Sequence, residues 1–239
     1  MNGTVSVLAD AAELALAAAR HFAQLSQAAI EAKNRFSVAL SGGETPRATY
    51  QLLASEEFRR QIDWKHVHLF WGDERCVPPD HPDSNYGMAR RSLIDDVPIP
   101  ADNIHRILGE YDPVVAAESY EADLKDHFKS PLPAFDLILL GLGADGHVAS
   151  LFPDSAALEE KARLAVAVQH PQSNLWRVTL TLPVINGAAH VNVLVEGAEK
   201  APMIQLLQQP SASVPATRVR ATNGELHWFL DSSAAKNLT

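Results

Sequence analysis

The sequence predicts an α/β fold, with a mostly parallel sheet covered by helices on both faces, built as one domain over residues 1–239. Three observations carry this reading. Short apolar runs recur along the chain, and stretches of helical spacing separate several of them, which is the pattern of a sheet made from strand–helix–strand crossovers. The clearest run, FDLILL at 135–140, has no polar alternation beyond Asp136, as a strand buried on both faces requires. Hydrophobic residues make up 46% of the 239, enough to supply one large core, and no internal repeat or low-complexity segment interrupts them.

Taken in order, residues 10–31 are Ala-rich with apolar positions at helical spacing and predict an opening amphipathic helix that Asp10 can cap. FSVAL at 36–40 is a β-favouring run. Ser41-Gly42-Gly43 then turns the chain into a helix expected to start at Pro46, with Thr45 as its N-cap, and to reach about Ala54. HVHLFW at 66–71 is the next strand, followed by the polar loop GDERCVPPDHPD and a helix capped near Ser84. After FDLILL, the runs RLAVAV, WRVTLTL, HVNVLV and LHWFL complete the strands, with helices near 113–128 and 198–207. Residues 208–224 read as a long surface loop with room for a short helix. Trp64, Trp71, Trp176 and Trp228 lie in or beside strands and are assigned to the core.

A formal net charge of −9 repels polyanions at long range, so neither nucleic acid nor an anionic membrane surface is an expected partner. No stretch approaches the roughly 18 consecutive apolar residues of a membrane span. The start, MNGTVSVLADAAEL, lacks the basic and apolar regions of a secretory signal, so a cytoplasmic location is expected. The single cysteine, Cys76, excludes an intramolecular disulfide and fits a reducing compartment. It follows Arg75 but has no evident catalytic histidine, and reads as an inert thiol.

Ligands of open α/β sheets bind at the carboxyl ends of strands, which directs attention to three loops. In Ser41-Gly42-Gly43-Glu44-Thr45-Pro46, the glycines let backbone approach an anion and the helix start aims N–H groups at it; an ordinary Gly-Gly turn before a capped helix has the same sequence. Gly72-Asp73-Glu74-Arg75 sets charged residues at the end of an apolar strand, as a solvated turn also would. Asp73, as a catalytic residue, and Arg75, as a substrate-binding one, are the site candidates there. Gly141-Leu142-Gly143-Ala144-Asp145-Gly146-His147 matches G-x-G-x-x-G, but Pro153 interrupts any helix and the next strand ends in Gln169 and His170 rather than an acid. The better reading pairs an orienting carboxylate, Asp145, with a general base, His147. His66 and His68 alternate on one strand face and lack the further ligands a metal needs, so no metal site is expected. Neither Ser41 nor Ser150 sits in a G-x-S-x-G elbow.

Together SGGETP, WGDER with the later SNYGMA, GLGADGHVASLFP, WRVTLTLPVIN, GAEKA and the closing WFLD occur in the order and spacing of the 6-phosphogluconolactonase family, which the chain resembles over nearly its whole length. That family is related to the glucosamine-6-phosphate deaminases. The resemblance implies the glucosamine-6-phosphate deaminase/ribose-5-phosphate isomerase type of fold. It also implies hydrolysis of a phosphorylated sugar lactone in the pentose phosphate or Entner–Doudoroff pathway, without a cofactor; a monomer or weak homodimer is expected. It implies a phosphate site of Ser41, Gly42, Gly43 and Thr45 with Lys200 as its mobile cation and Arg75 and Arg177 as further candidates for that contact, and His147 as the catalytic base with Asp145 close by. Deaminases of this kind carry a glutamate shortly before a proline after the DGH motif, where this chain has Ser150-Leu151-Phe152-Pro153.

Overall fold

The structure, a computed structural model, describes residues 1–238. Its strands are Thr4–Leu8 (β1), Phe36–Leu40 (β2), Val67–Trp71 (β3), Asp73–Arg75 (β4), Leu137–Gly141 (β5), Ala165–Gln169 (β6), Trp176–Leu180 (β7), His190–Val195 (β8) and Glu225–Asp231 (β9). The α-helices are Ala11–Lys33 (α1), Glu44–Ala54 (α2), Glu56–Gln61 (α3), Asn85–Ser92 (α4), Pro113–Phe128 (α5), Leu182–Asn186 (α6) and Ala201–Leu207 (α7).

Six strands form one sheet in the order β1-β9-β8-β5-β2-β3, and every pairing in it is parallel. The continuous apolar runs explain why: all of β2 and Leu137–Leu140 of β5 are buried, so both faces must be covered. Strand alternation distributes the cover. On β3, Phe70 meets Tyr120 and His127 of α5, while Trp71 meets Tyr86 of α4 on the other side. Helix α1 starts as its sequence predicts, with the Asp10 side chain accepting from the Glu13 N–H at 2.9 Å. Ser84 caps α4 in the same way, from the Gly87 N–H. Among the described residues no helix is long and apolar enough to cross a membrane.

Chain order reverses between β2 and β5: from β2 the chain steps to β3 on one side, then returns to β5, β8 and β9 on the other. The registers Leu40↔Trp71 and Gly141↔Leu194 align the carboxyl ends of these strands at one edge. A crevice therefore opens where the following loops diverge.

Several expectations are corrected. RLAVAV and WRVTLTL do not join the parallel sheet; their strands β6 and β7 pair antiparallel with β4 in a small second sheet. Residues 73–75 are thus a strand, not a solvated turn, and Asp73 and Glu74 are buried. β1, unmarked in the sequence because TVSVL is only half-buried, is an edge strand beside β9. Helix α2 begins at Glu44 with Gly43 as its N-cap, so Thr45 is a first-turn residue rather than the cap. Pro46 is tolerated there because first-turn N–H groups have no intrahelical acceptor. Trp64, Trp71 and Trp228 are buried, but Trp176 at the start of β7 is 41% exposed. His66 lies in a 3₁₀ turn, where it meets Asp63 at 3.0 Å, and shares no strand face with His68. The long loop holds a short 3₁₀ turn at Pro215–Arg218.

Candidate active site

A cavity of about 350 Å³ lies at this crevice, within the range of small-molecule sites. Its floor is the turn after β2. Gly43 has φ +109°, a conformation that favours glycine, and this swings α2 so that its open N-terminus faces the cavity. The turn is held from below by Tyr50, fully buried, whose hydroxyl accepts from the Ser41 N–H at 2.9 Å and donates to the Ser41 carbonyl at 2.8 Å. Tyr120 clamps Trp71 at the end of β3 in the same two-bond manner. Facing the α2 terminus, the turn after β8 brings Lys200 to the cavity lining. Among the described residues Lys200 makes no ion pair within 4.0 Å. The arrangement offers N–H donors, hydroxyls and one ammonium to an anion.

The loop after β5 closes on itself instead of opening a helix: Gly143 N–H donates to the His147 carbonyl at 2.9 Å, and Gly146 N–H to the Gly143 carbonyl at 3.0 Å. Its product is an oriented imidazole. Asp145 Oδ1 lies 2.5 Å from His147 Nδ1 and also accepts from the His147 N–H at 3.2 Å. A carboxylate at Nδ1 makes that nitrogen the N–H donor and leaves the Nε2 lone pair unclaimed. Burial works to raise the Asp145 carboxyl, but the bonds from His147 outweigh it and hold it below the ordinary aspartate range. The His147 ring packs on buried Phe152 at 4.9 Å, and Arg177 lies over the same Phe152 ring at 5.5 Å.

Gly143 is part of this geometry, because a Cβ there would overlap the His147 ring and the Asp145 carboxylate. Gly143→Ala is expected to lower kcat at least tenfold while leaving KM within about threefold, since the anion cradle is not touched. Equal loss through KM in steady-state kinetics would contradict this placement.

The third wall is a buried polar framework. Ser150 donates to Asp73 Oδ2 at 2.5 Å, Asn85 donates to Asp73 Oδ1 at 3.3 Å and to its carbonyl at 2.8 Å, and Arg177 lies 3.8 Å from Asp73. Pairing of β4 with β7 sets Arg75 opposite Arg177. Burial lowers the Arg177 guanidinium from its usual value, with Asp73 pulling it back up. Glu74, 2% exposed, accepts from the N–H groups of Arg75, Asn85 and Tyr86 and from the Ser84 hydroxyl, which pins the start of α4 beside the cavity. Burial pushes its carboxyl up to about 7 against the pull of those N–H groups.

The structure therefore gathers Ser41, Gly42, Gly43, Thr45, Asp73, Arg75, His147, Arg177 and Lys200 around one cavity, with Asp145 behind His147. Asn85 and Ser150 were not singled out as site residues; each meets Asp73 from far along the chain, and no local spacing marks such contacts.

Residues 9–228 match the family model of glucosamine-6-phosphate isomerases/6-phosphogluconolactonase. The chain belongs to this glucosamine-6-phosphate isomerase/6-phosphogluconolactonase family. A 6-phosphogluconolactonase of Nostoc sp. is 41% identical over 245 aligned residues, covering 100% of both chains. Among solved structures of the family, the 6-phosphogluconolactonase from Trypanosoma cruzi superposes with a TM-score of 0.90 at 32% identity, over 100% of this chain and 97% of that one. A monomeric glucosamine-6-phosphate deaminase shares the fold, with a TM-score of 0.81 at 20% identity over 98% of this chain and 99% of that one.

Proposed function

We propose that this chain hydrolyses 6-phospho-D-glucono-1,5-lactone to 6-phospho-D-gluconate through metal-free, His147-assisted attack of water on the lactone carbonyl. The observation that carries the reading is the pairing of an oriented imidazole, with Asp145 at Nδ1, and an open helix N-terminus across one cavity. The 6-phosphate rests on the first-turn N–H groups of α2 and on Lys200, which fixes the sugar with C1 toward His147. His147 Nε2 takes a proton from water as the water oxygen bonds to C1. Charge then builds on the carbonyl oxygen. Arg177, stacked on the same Phe152 ring as His147, is the cation best placed to receive it. The tetrahedral intermediate collapses by breaking the bond from C1 to the ring oxygen, and the imidazolium returns its proton to that oxygen.

Deamination is the competing chemistry of this family. In the stretch where deaminases carry a glutamate shortly before a proline, this chain has Ser150-Leu151-Phe152-Pro153, which holds no carboxylate. Supplying lactone and glucosamine 6-phosphate in parallel separates the two activities. The expected result is acid release from the lactone well above its spontaneous rate and no ammonia from the amino sugar; ammonia release would overturn the assignment. Lactonase activity is also expected to persist undiminished in excess chelator, because none of the proposed steps uses a metal. Inactivation reversed by zinc would contradict the mechanism.

A further inference from the structure

We propose that His68, His105 and His127 form a binding site for a divalent transition-metal ion of the zinc type, separate from the catalytic cavity. No local spacing supplies His68 with further ligands, but the fold does. One ligand nitrogen from each of the three histidines lies within 4.8 Å of the others. They come from three segments: His68 from β3, His105 from the stretch that bridges β3 through Leu69↔Ile104, and His127 from the last turn of α5. His68 Nδ1 and His105 Nε2 are 3.2 Å apart. Tetrahedral zinc with nitrogen at about 2.0–2.1 Å holds neighbouring ligands about 3.3 Å from one another, so this pair already has the required bite.

The surroundings resemble those of a built site. Asp123 places both carboxylate oxygens 3.1 Å from His105 Nδ1, which fixes the N–H there and turns the Nε2 lone pair toward His68. Ser37 on β2 meets His127 Nε2 at 2.9 Å. Phe70 stacks on His105 at 4.1 Å and Phe128 packs edge-on to His127, so the rings are positioned before any ion arrives. Arg35, which donates to the His127 carbonyl at 3.3 Å, opposes a dication, and the Asp123 carboxylate offsets it. Without an ion, the close nitrogens share a hydrogen bond; on uptake the His68 proton moves from Nδ1 to Nε2, and no net proton is released.

None of the three histidines lines the catalytic cavity, and His68 sits three residues, about 10 Å, below the carboxyl end of β3. The ion would clasp the sheet's edge strand to α5. Three imidazoles with a solvent-filled fourth position suit zinc, cobalt or nickel rather than magnesium or calcium.

The test titrates cobalt(II), as a coloured stand-in for zinc, into metal-free full-length protein. One cobalt per chain with a tetrahedral visible spectrum is expected, and zinc should displace it and raise Tm. His105→Gln should weaken cobalt binding at least a hundredfold. Asp123→Asn, a milder and partly exposed change, should weaken it tenfold to a hundredfold, the usual effect of losing a carboxylate behind a histidine ligand. His147→Ala should bind cobalt as the parent does, and lactone hydrolysis by His105→Gln should be unchanged. No stoichiometric uptake, uptake indifferent to both His105→Gln and Asp123→Asn, or uptake abolished by His147→Ala would overturn the proposal. Because the primary readout is metal binding, its failure leaves the lactonase reading intact, and the reverse also holds.

Discussion

His147→Ala is expected to lose about 10²- to 10⁴-fold in kcat, the usual contribution of a positioned general base, while binding of the product acid survives. The separation follows from geometry. The proposed phosphate contacts lie in the turn after β2 and at Lys200, and His147 stands on a different loop, after β5. Removal of the imidazole also frees the Asp145 carboxylate from its 2.5 Å partner without disturbing the cradle. Steady-state kinetics with enzymatically generated lactone, alongside calorimetric binding of the product, measures both quantities. A variant within threefold of the parent would remove His147 from the mechanism.

Lys200→Ala is expected to cost tenfold to a hundredfold in kcat/KM on the phosphorylated lactone, because a charge-assisted hydrogen bond contributes about 1.5–3 kcal/mol. Hydrolysis of unphosphorylated gluconolactone, already poor, should barely change. A net charge of −9 opposes an anionic substrate at a distance, so recognition must come from groups that touch the phosphate. Arg220 is the control: it is exposed, lies outside the cavity, and its removal changes net charge by the same unit. Equal losses on both substrates, or an Arg220→Ala effect matching that of Lys200→Ala, would make Lys200 structural or merely part of the general field.

The parallel sheet and the loops that carry the site were legible because buried strands leave a plain mark, an apolar run ending in a glycine turn. FSVAL before Ser41 and FDLILL before Gly141 both read this way and both end at the cavity. Strand β4 was illegible for the opposite reason. Its charged residues suit water until Glu74 is seen to accept from three backbone N–H groups and Asp73 from Ser150 and Asn85. Burial of those carboxylates depends on partners that no local pattern announces. The antiparallel pairing of β4 with β7 was hidden with it, although that pairing sets Arg75 beside Arg177. Trp176 shows the limit of a composition rule, since a large aromatic at a strand start was assigned to the core and instead faces solvent. The three-histidine cluster likewise needed the fold, because His68, His105 and His127 share no spacing and meet only when α5 packs on β3.

The proposed mechanism requires one orientation of the sugar, with phosphate at the start of α2 and C1 at His147. A crystal structure of the complex with 6-phosphogluconate tests it in one measurement. Phosphate oxygens are expected within hydrogen-bond distance of the α2 first-turn N–H groups and the Lys200 ammonium, with the product carboxylate within about 3–3.5 Å of His147 Nε2. A sugar bound the other way round, with its phosphate against His147 and its carboxylate on the α2 terminus, would contradict it.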